Sequence, residues 1–288
     1  MHFEGIVVGA HGMLGHCAAN VLKKSFNILE TSRYGRDGSE ILLANSTDED
    51  IYRQFQKIRV GGLVINTVGL LADKISKSDD KESAILVNSL FPHRLSRLAS
   101  DAGLRFIHIS TDAVYSPTSD VVTEDDLPCP SDFYAYSKLA GEVNKGNSLV
   151  IRCSIIGPPR SEGGNGLWAW LASQPKGGSV KGFTNQIWKG VTTKQLANFF
   201  ELLMSEKNFY KLREESAIYN FAPNASMSKY DLLLSIAKHI RVDLKIEPTL
   251  ADLDITRELV SKFRVLNEMF PQKMPWSQLV RDAMITAN

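Results

Sequence analysis

Three cysteines in 288 residues, Cys17, Cys129 and Cys153, are too few and too irregularly spaced for a disulfide framework or a thiolate metal site. They read as reduced thiols, which suits a cytoplasmic protein. Charge of one sign is also scarce: 33 Lys plus Arg stand against 32 Asp plus Glu, a formal net charge of +1. A nucleic-acid binder would show a basic face, so nucleic acid is not expected as a partner. No apolar run approaches the roughly 20 residues that cross a bilayer, so no membrane is expected either. The N-terminus reads as running straight into a core strand, so no leader peptide is expected. Repeats, low-complexity tracts and metal-ligand spacings are missing. What remains is 43% hydrophobic and 23% charged, an ordinary globular composition that can bury one large core or two modest ones.

Against that plain background two motifs stand out. Ile6-Val7-Val8 is a β-branched run of the kind buried on both faces of a sheet. Gly9-Ala10-His11-Gly12-Met13-Leu14-Gly15 follows at once, and 14–24 reads as a helix. Strand, glycine loop and helix form a phosphate cradle: glycine permits positive φ and close approach, and a helix N-terminus offers free N–H groups and a positive dipole end. The spacing is GxxGxxG, not the GxGxxG of the standard dinucleotide fingerprint. A glycine-rich turn without a ligand is the plain alternative. His11 reads as a loop residue only.

The second motif is chemical. Leu104 to Ile109 reads as a buried strand ending in Ser110-Thr111-Asp112, where open α/β sheets bind ligands. Tyr134 and Lys138 follow, four residues apart on one helix face. A lysine ammonium beside the phenol would lower its proton affinity from about pH 10 toward the working range. Tyr134 would then exchange a proton with a carbonyl oxygen while hydride moves at the carbon, and Thr111 would hold that oxygen. YxxxK alone is a weak signal; the order of cradle, Thr-ended strand and Tyr–Lys pair strengthens it. Tyr136 lacks a lysine four residues on and reads as packing or substrate contact.

Strands are expected at 3–8, 26–31, 40–44, 62–66, 104–110 and 148–153. Helices are expected at 14–24, 48–57, 82–102 and 132–145. This alternation predicts an α/β chain, a doubly wound parallel sheet with helices on both faces. After residue 154 the texture changes. Gly157-Pro158-Pro159 and Ser161 to Gly166 read as loop. Thr192 to Met204 reads as a helix capped by Thr192 or Thr193, 217–221 as a strand, and Ser228 to Ile240 as a helix capped by Ser226 or Ser228. The expected division is a dinucleotide-binding domain of 1–153 plus about 187–216. A smaller mixed α/β C-terminal substrate lobe would take about 154–186 and 217–288.

These residues resemble the extended short-chain dehydrogenase/reductases, and more narrowly the dTDP-4-dehydrorhamnose reductase family of nucleotide-sugar 4-keto reductases. The likeness rests on Gly9 to Gly15, Val64 to Gly69, Val87-Asn88, His108 to Tyr115, Tyr134 to Glu142 and Ile151 to Gly157. Lys181 to Thr184, Trp188 to Thr193 and Asn220 to Pro223 extend it. The resemblance implies a Rossmann-type fold and a catalytic set of Thr111, Tyr134 and Lys138. It implies that Gly9, Gly12, Met13, Leu14 and Gly15 hold the pyrophosphate, and that Asn66, Thr67 and Gly69 line the ribose and nicotinamide side. Asn88 would support the active-site lysine, with Ser154 and Ile155 near the nicotinamide. Asp112, Phe183, Gln186 and Trp188 would lie along the sugar nucleotide.

Arg33, just past the second strand, favours the 2′-phosphate of NADPH, with NADH as the alternative, because Glu30 lies inside that strand. Asn45 stands near the adenine, where the family often has an acidic residue. Arg257 and Lys262 are the candidates to meet a substrate diphosphate; a charged helix face is the plain alternative. The implied activity is NAD(P)H-dependent reduction of a nucleotide-activated 4-keto-6-deoxy sugar in deoxysugar or surface-polysaccharide synthesis. An epimerase or dehydratase of the same superfamily is the second reading. A non-catalytic NADP-binding subunit, like the regulatory beta subunit of methionine adenosyltransferase, is the third. Family members often pair as homodimers, and 82–102 would serve as core or interface.

Overall fold

The computed structural model describes residues 2–35, 37–117, 121–160, 164, 166–240, 243–271 and 274–285. Most of the loop expected at 161–166 lies outside them. Strands β1 (Phe3–Val8), β2 (Ile28–Ser32), β3 (Glu40–Ile41), β4 (Ile58–Asn66) and β5 (Arg105–Thr111) join strands Ser148–Cys153 and Ile218–Asn220 in one sheet. The order across it is β3-β2-β1-β4-β5, then 148–153, then 218–220, and every pairing is parallel. This is the doubly wound Rossmann-type arrangement. Its switch point falls between β1 and β4, which start helices on opposite faces.

Alternation along the strands feeds two cores. Val7, Ile65, Ile107 and Ile151 pack toward helices Met13–Leu22 and Thr193–Leu203. Ile6, Val8, Val64 and Phe106 pack toward helices Asp48–Phe55 and Phe91–Asp101. Helix 193–203 opens on a capping box: Gln195 N donates to Thr192 Oγ1 at 3.2 Å, and Thr192 N donates to Gln195 Oε1 at 3.1 Å. Its far end is held by Arg105, which is fully buried in β5. The guanidinium donates to the carbonyls of Leu203 and Met204, each at 2.8 Å, and to that of Gly61 at 2.7 Å. Three carbonyls, two of them at a helix C-terminus, are what makes an arginine tolerable inside the sheet.

A third cluster builds the smaller lobe from Trp168, Leu171, Val180, Trp188, Leu232, Ile236, Trp276 and Val280, among others. Strands Ser179–Phe183 and Lys245–Thr249 pair parallel there, and helix Lys229–Ile240 packs on them. Ser228 is its cap, accepting from Asp231 N at 3.0 Å.

Four expectations need correction. Strand 218–220, grouped by the sequence with the smaller lobe, is the outer strand of the main sheet, because 148–153 offers it a buried parallel edge. The strand expected at 40–44 stops at Ile41, and a turn follows that Arg94 holds through the carbonyls of Ala44 and Ser46. The helix expected over 82–102 is interrupted by a π-helical turn, Ile85–Leu90. The helix expected over 132–145 covers only Phe133–Leu139. Among the described residues no helix is long and apolar enough to cross a membrane.

Candidate active site

The glycine loop leaves β1 at the switch point and enters helix 13–22. Gly9 takes φ +90°, and a Cβ there would sit 2.7 Å from Val68 Cγ2. A Cβ on Gly15 would lie 2.2 Å from the Gly9 carbonyl oxygen, far inside contact distance. These two glycines let helix and loop touch. Thr67 locks the arrangement by donating to the Val8 carbonyl at 2.8 Å. Gly12 is the N-cap of the helix and, having no side chain, gives Met13, Leu14 and the rest of the first turn no side-chain cap. An uncapped helix N-terminus behind a glycine cradle fits a pyrophosphate.

Arg33 lies exposed one residue beyond β2, its guanidinium 5.5 Å over the Tyr34 ring. The turn beneath it is fixed by Ser32 Oγ, which accepts from Tyr34 N at 3.3 Å and Gly35 N at 3.2 Å. Glu30 stays inside β2 and pairs with Lys23. Asn45 is exposed in a turn four residues past Ile41, not at a strand end.

Thr111 closes β5 in register with Cys153. Its hydroxyl donates to Asp112 Oδ1 at 3.2 Å and accepts from Ala113 N at 3.2 Å. Tyr134 and Lys138 ride on helix 133–139, whose Asp132 cap accepts from Ala135 N at 2.8 Å. That helix docks tightly: a Cβ on Gly141 would fall 1.9 Å from the Asn88 carbonyl oxygen. The Asn88 amide bonds both backbone groups of Leu70 and donates to Ser137 Oγ at 3.0 Å. Asn88 therefore braces the residue before the lysine rather than the lysine itself. Lys138 Nζ donates to the Ile109 carbonyl at 2.7 Å and sits 3.3 Å from His108 Nε2. Gly69 lies beside it; a Cβ there would be 3.9 Å from Nζ.

The electrostatics correct one expectation. Tyr134 is not held low by its lysine. Burial pushes the phenol up to about 12; the Thr111 hydroxyl opposes the rise, and Asp112 adds to it. Burial lowers Lys138 to about 8, against the pull of Glu142, so the lysine itself is a reluctant cation. Asp112 is raised by burial, with Arg257 pulling it back down. The side chains of Asn66 and Thr67 spend their polar atoms inward, Asn66 on Val68 N and His108, Thr67 on the glycine loop.

A cavity of about 400 Å³ adjoins this centre. Ser154, Ile155, Phe183 and Trp188 line it, together with Trp170, Lys181 and Lys229. Trp188 Nε1 donates to Ser154 Oγ at 2.8 Å, and its ring lies 4.9 Å from that of Trp276. Gln186 accepts from Lys229 Nζ at 2.6 Å. Arg257 reaches Asp112 at 3.8 Å, and its Nε is buried without a hydrogen-bond partner. It stands between two short strands, Ile255–Thr256 and Glu258–Leu259, not on a helix face. Lys262 departs from this group and pairs with Asp125. Tyr136 is 58% exposed and packs no core.

Sequence reasoning passed over His108, Lys229 and Trp170. A histidine inside an otherwise apolar strand was a readable signal. Lys229 was not, because only the fold brings it to Gln186.

A family model described as RmlD substrate binding domain matches residues 5–256. The chain is 29% identical over 193 residues to a probable low-salt glycan biosynthesis reductase, Agl14, of Haloferax volcanii, covering 62% of this chain and 63% of that one. It is 33% identical over 161 residues to a dTDP-4-dehydrorhamnose reductase of Mycolicibacterium smegmatis, covering 52% and 45%. It is 28% identical over 158 residues to methionine adenosyltransferase 2 subunit beta of Xenopus laevis, covering 53% and 47%. The chain thus spans from about half to under two thirds of the length of these relatives. In fold it resembles a Bacillus anthracis dTDP-4-dehydrorhamnose reductase solved in complex with NADP: TM-score 0.75, 18% identity, 99% of each chain.

Proposed function

The chain belongs to the RmlD substrate binding domain family, and on that premise we propose that it is a reductase of a nucleotide-activated 4-keto-6-deoxy sugar. NADPH is the preferred cofactor and NADH the second choice, with a role in deoxysugar or surface-polysaccharide synthesis. The observation that carries this reading is the placing of Tyr134: its phenol is buried beside the Thr111 hydroxyl that ends β5, next to an aromatic cavity. A phenol and a second hydroxyl set together can meet one carbonyl oxygen, the first giving it a proton as hydride reaches the carbon.

Gly9 to Gly15 would hold the cofactor pyrophosphate and Arg33 a 2′-phosphate. When bound, the nicotinamide supplies a hydride to the carbonyl carbon. Tyr134 gives its Oη proton to the carbonyl oxygen as negative charge develops there, and Thr111 holds that oxygen in place. Lys138 lies on the helix face of Tyr134 and would steady the phenolate left behind. Phe183, Trp170 and Trp188 offer faces for a base or sugar ring. Lys181, Lys229 and Arg257 supply cations for a diphosphate; the unpartnered Arg257 Nε and the Gln186 brace on Lys229 suit that task.

The test is absorbance loss of NADPH on a panel of nucleotide 4-keto-6-deoxy sugars, with Tyr134→Phe in parallel. Turnover by the parent and a drop of 10²-fold or more in the variant, on the order expected for a lost general acid, supports the reading. Tight NADPH binding without oxidation on any sugar contradicts it and turns attention to a binding subunit.

A further inference from the structure

Arg257 owes its place to the strands on either side of it. Ile255–Thr256 pairs in parallel with Gln186 and Ile187 of the smaller lobe. Glu258–Leu259 pairs in parallel with Val121 and Val122, a short strand that follows β5. One residue thus separates two sheets, and it carries the guanidinium that faces Asp112. Its Nε is buried without a partner, and Asp112 stands at 3.8 Å, beyond a hydrogen bond, so the backbone is what fixes this side chain. Lys181 and Lys229, the other cations of the cavity, ride on strand 179–183 and helix 229–240 of the smaller lobe.

The stretch after Arg257 is fastened to the main sheet by a carboxylate that the proposed mechanism does not use. Glu124 Oε1 accepts from Asn220 N at 2.8 Å and from Ser261 Oγ at 2.7 Å. Its Oε2 accepts from Lys262 N at 2.9 Å. Two of these donors lie four and five residues past Arg257, and the third ends the outer strand of the main sheet. The buried Asn220 amide adds to the seam, donating to the Val122 carbonyl at 3.3 Å and the Val260 carbonyl at 3.4 Å. Val260 N donates to the Val122 carbonyl at 2.9 Å. Leu259 is buried among Val114, Tyr115 and Val122. Bonds to a carboxylate are stronger than neutral ones, so Glu124 is the firmest point of this seam.

We propose that Glu124 is a positioning residue for Arg257: by tying residues 261 and 262 to the end of strand 218–220, it fixes the guanidinium beside Asp112 at the end of β5, while Lys181 and Lys229 travel with the smaller lobe. A substrate diphosphate is then gripped between one cation anchored to the catalytic strand and two carried by the lobe. Anchoring the backbone in advance lowers the ordering cost of binding. This inference rests on the reading of Arg257 as a diphosphate contact.

The experiment measures binding of thymidine diphosphate and uridine diphosphate to the full chain by calorimetry, with NADPH as the control ligand. Glutamine has one acceptor oxygen where glutamate has two, so in Glu124→Gln at least one of the three donors loses its partner. Arg257→Ala should weaken the tighter-binding diphosphate about tenfold or more, as for a lost hydrogen bond to a charged group. Glu124→Gln should weaken it about threefold or more in the parent, but less than about twofold once Arg257 is alanine, the mark of two residues acting as one. In a Lys181→Ala background Glu124→Gln should keep its full effect, and NADPH should bind every variant alike. If Glu124→Gln does not fold, Ser261→Ala removes one of the three bonds and should show the same dependence on Arg257. Equal weakening by Glu124→Gln in all three backgrounds would mark a general loosening of the cavity and overturn the proposal, as would parent-like binding by Glu124→Gln. Parent-like binding by Arg257→Ala, or no diphosphate binding by the parent, overturns it together with the diphosphate role of Arg257. The expected pattern in a protein that reduces no sugar would instead sink the reductase reading and leave this one standing.

Discussion

Lys138 shows what one buried residue does to the whole chain's response to pH. In the native state it loses its proton near pH 8, and in the unfolded chain near 10.4. Between those values the unfolded chain binds the extra proton, so stability rises with pH there and falls as pH drops toward 8. Lys138→Met removes that dependence. The variant should gain relative to the parent as pH falls from about 10 to 8, by on the order of 3 kcal/mol for a shift of this size. Urea unfolding across that range checks it, and a constant difference between the two proteins would contradict it. Arg33 offers a second test at this scale. An exposed arginine that meets a phosphate contributes about 1.5–3 kcal/mol. Arg33→Ala should therefore raise KM for NADPH about tenfold or more and leave NADH nearly unchanged, as measured by initial rates with each cofactor. That Thr111 and Tyr134 come together was readable from the order of strand and helix. The sign of the shift on Tyr134 was not, because burial is a property of the packed cleft and spacing alone cannot reveal it.

At the scale of elements, the sheet was legible because β-branched runs such as Ile6-Val7-Val8 and Leu149-Val150-Ile151 stand between glycine breaks and helical spacing. The π-helical turn at 85–90 was not. Nothing in Ile-Leu-Val-Asn-Ser-Leu distinguishes it from ordinary helix, and what it serves is a contact 53 residues away. The Asn88 carbonyl on that turn meets Gly141, where a Cβ would approach to 1.9 Å. Gly141→Ala should force the two helices apart. The expected loss is about 1–3 kcal/mol, the usual range for overpacking, seen as a lower denaturation midpoint at unchanged slope. Because Tyr134 and Lys138 ride on the displaced helix, activity should fall more than stability alone explains. A variant with parent-like turnover would show that this close approach does not position the pair.

For the molecule as a whole, the sheet brings three distant segments to one edge. Strand β5 ends in Thr111-Asp112, the helix at 133–139 supplies Tyr134 and Lys138, and the smaller lobe contributes Phe183, Trp188, Lys229 and Arg257. Family likeness anticipated Phe183, Trp188 and Arg257, but the contact between Arg257 and Asp112, 145 residues apart, emerges only when the chain closes. Lys229 entered the cavity unannounced for the same reason. The account's central claim is that this assembly delivers a hydride and the Tyr134 proton to one carbonyl. Its most direct test supplies NADPH carrying deuterium at the transferring C4 position, with a nucleotide 4-keto-6-deoxy sugar, and reads the product by mass and NMR. The account predicts one deuterium per product on the former carbonyl carbon for the parent, and almost none over the same period for Tyr134→Phe. Product without deuterium, or equal labelling by both proteins, would contradict it.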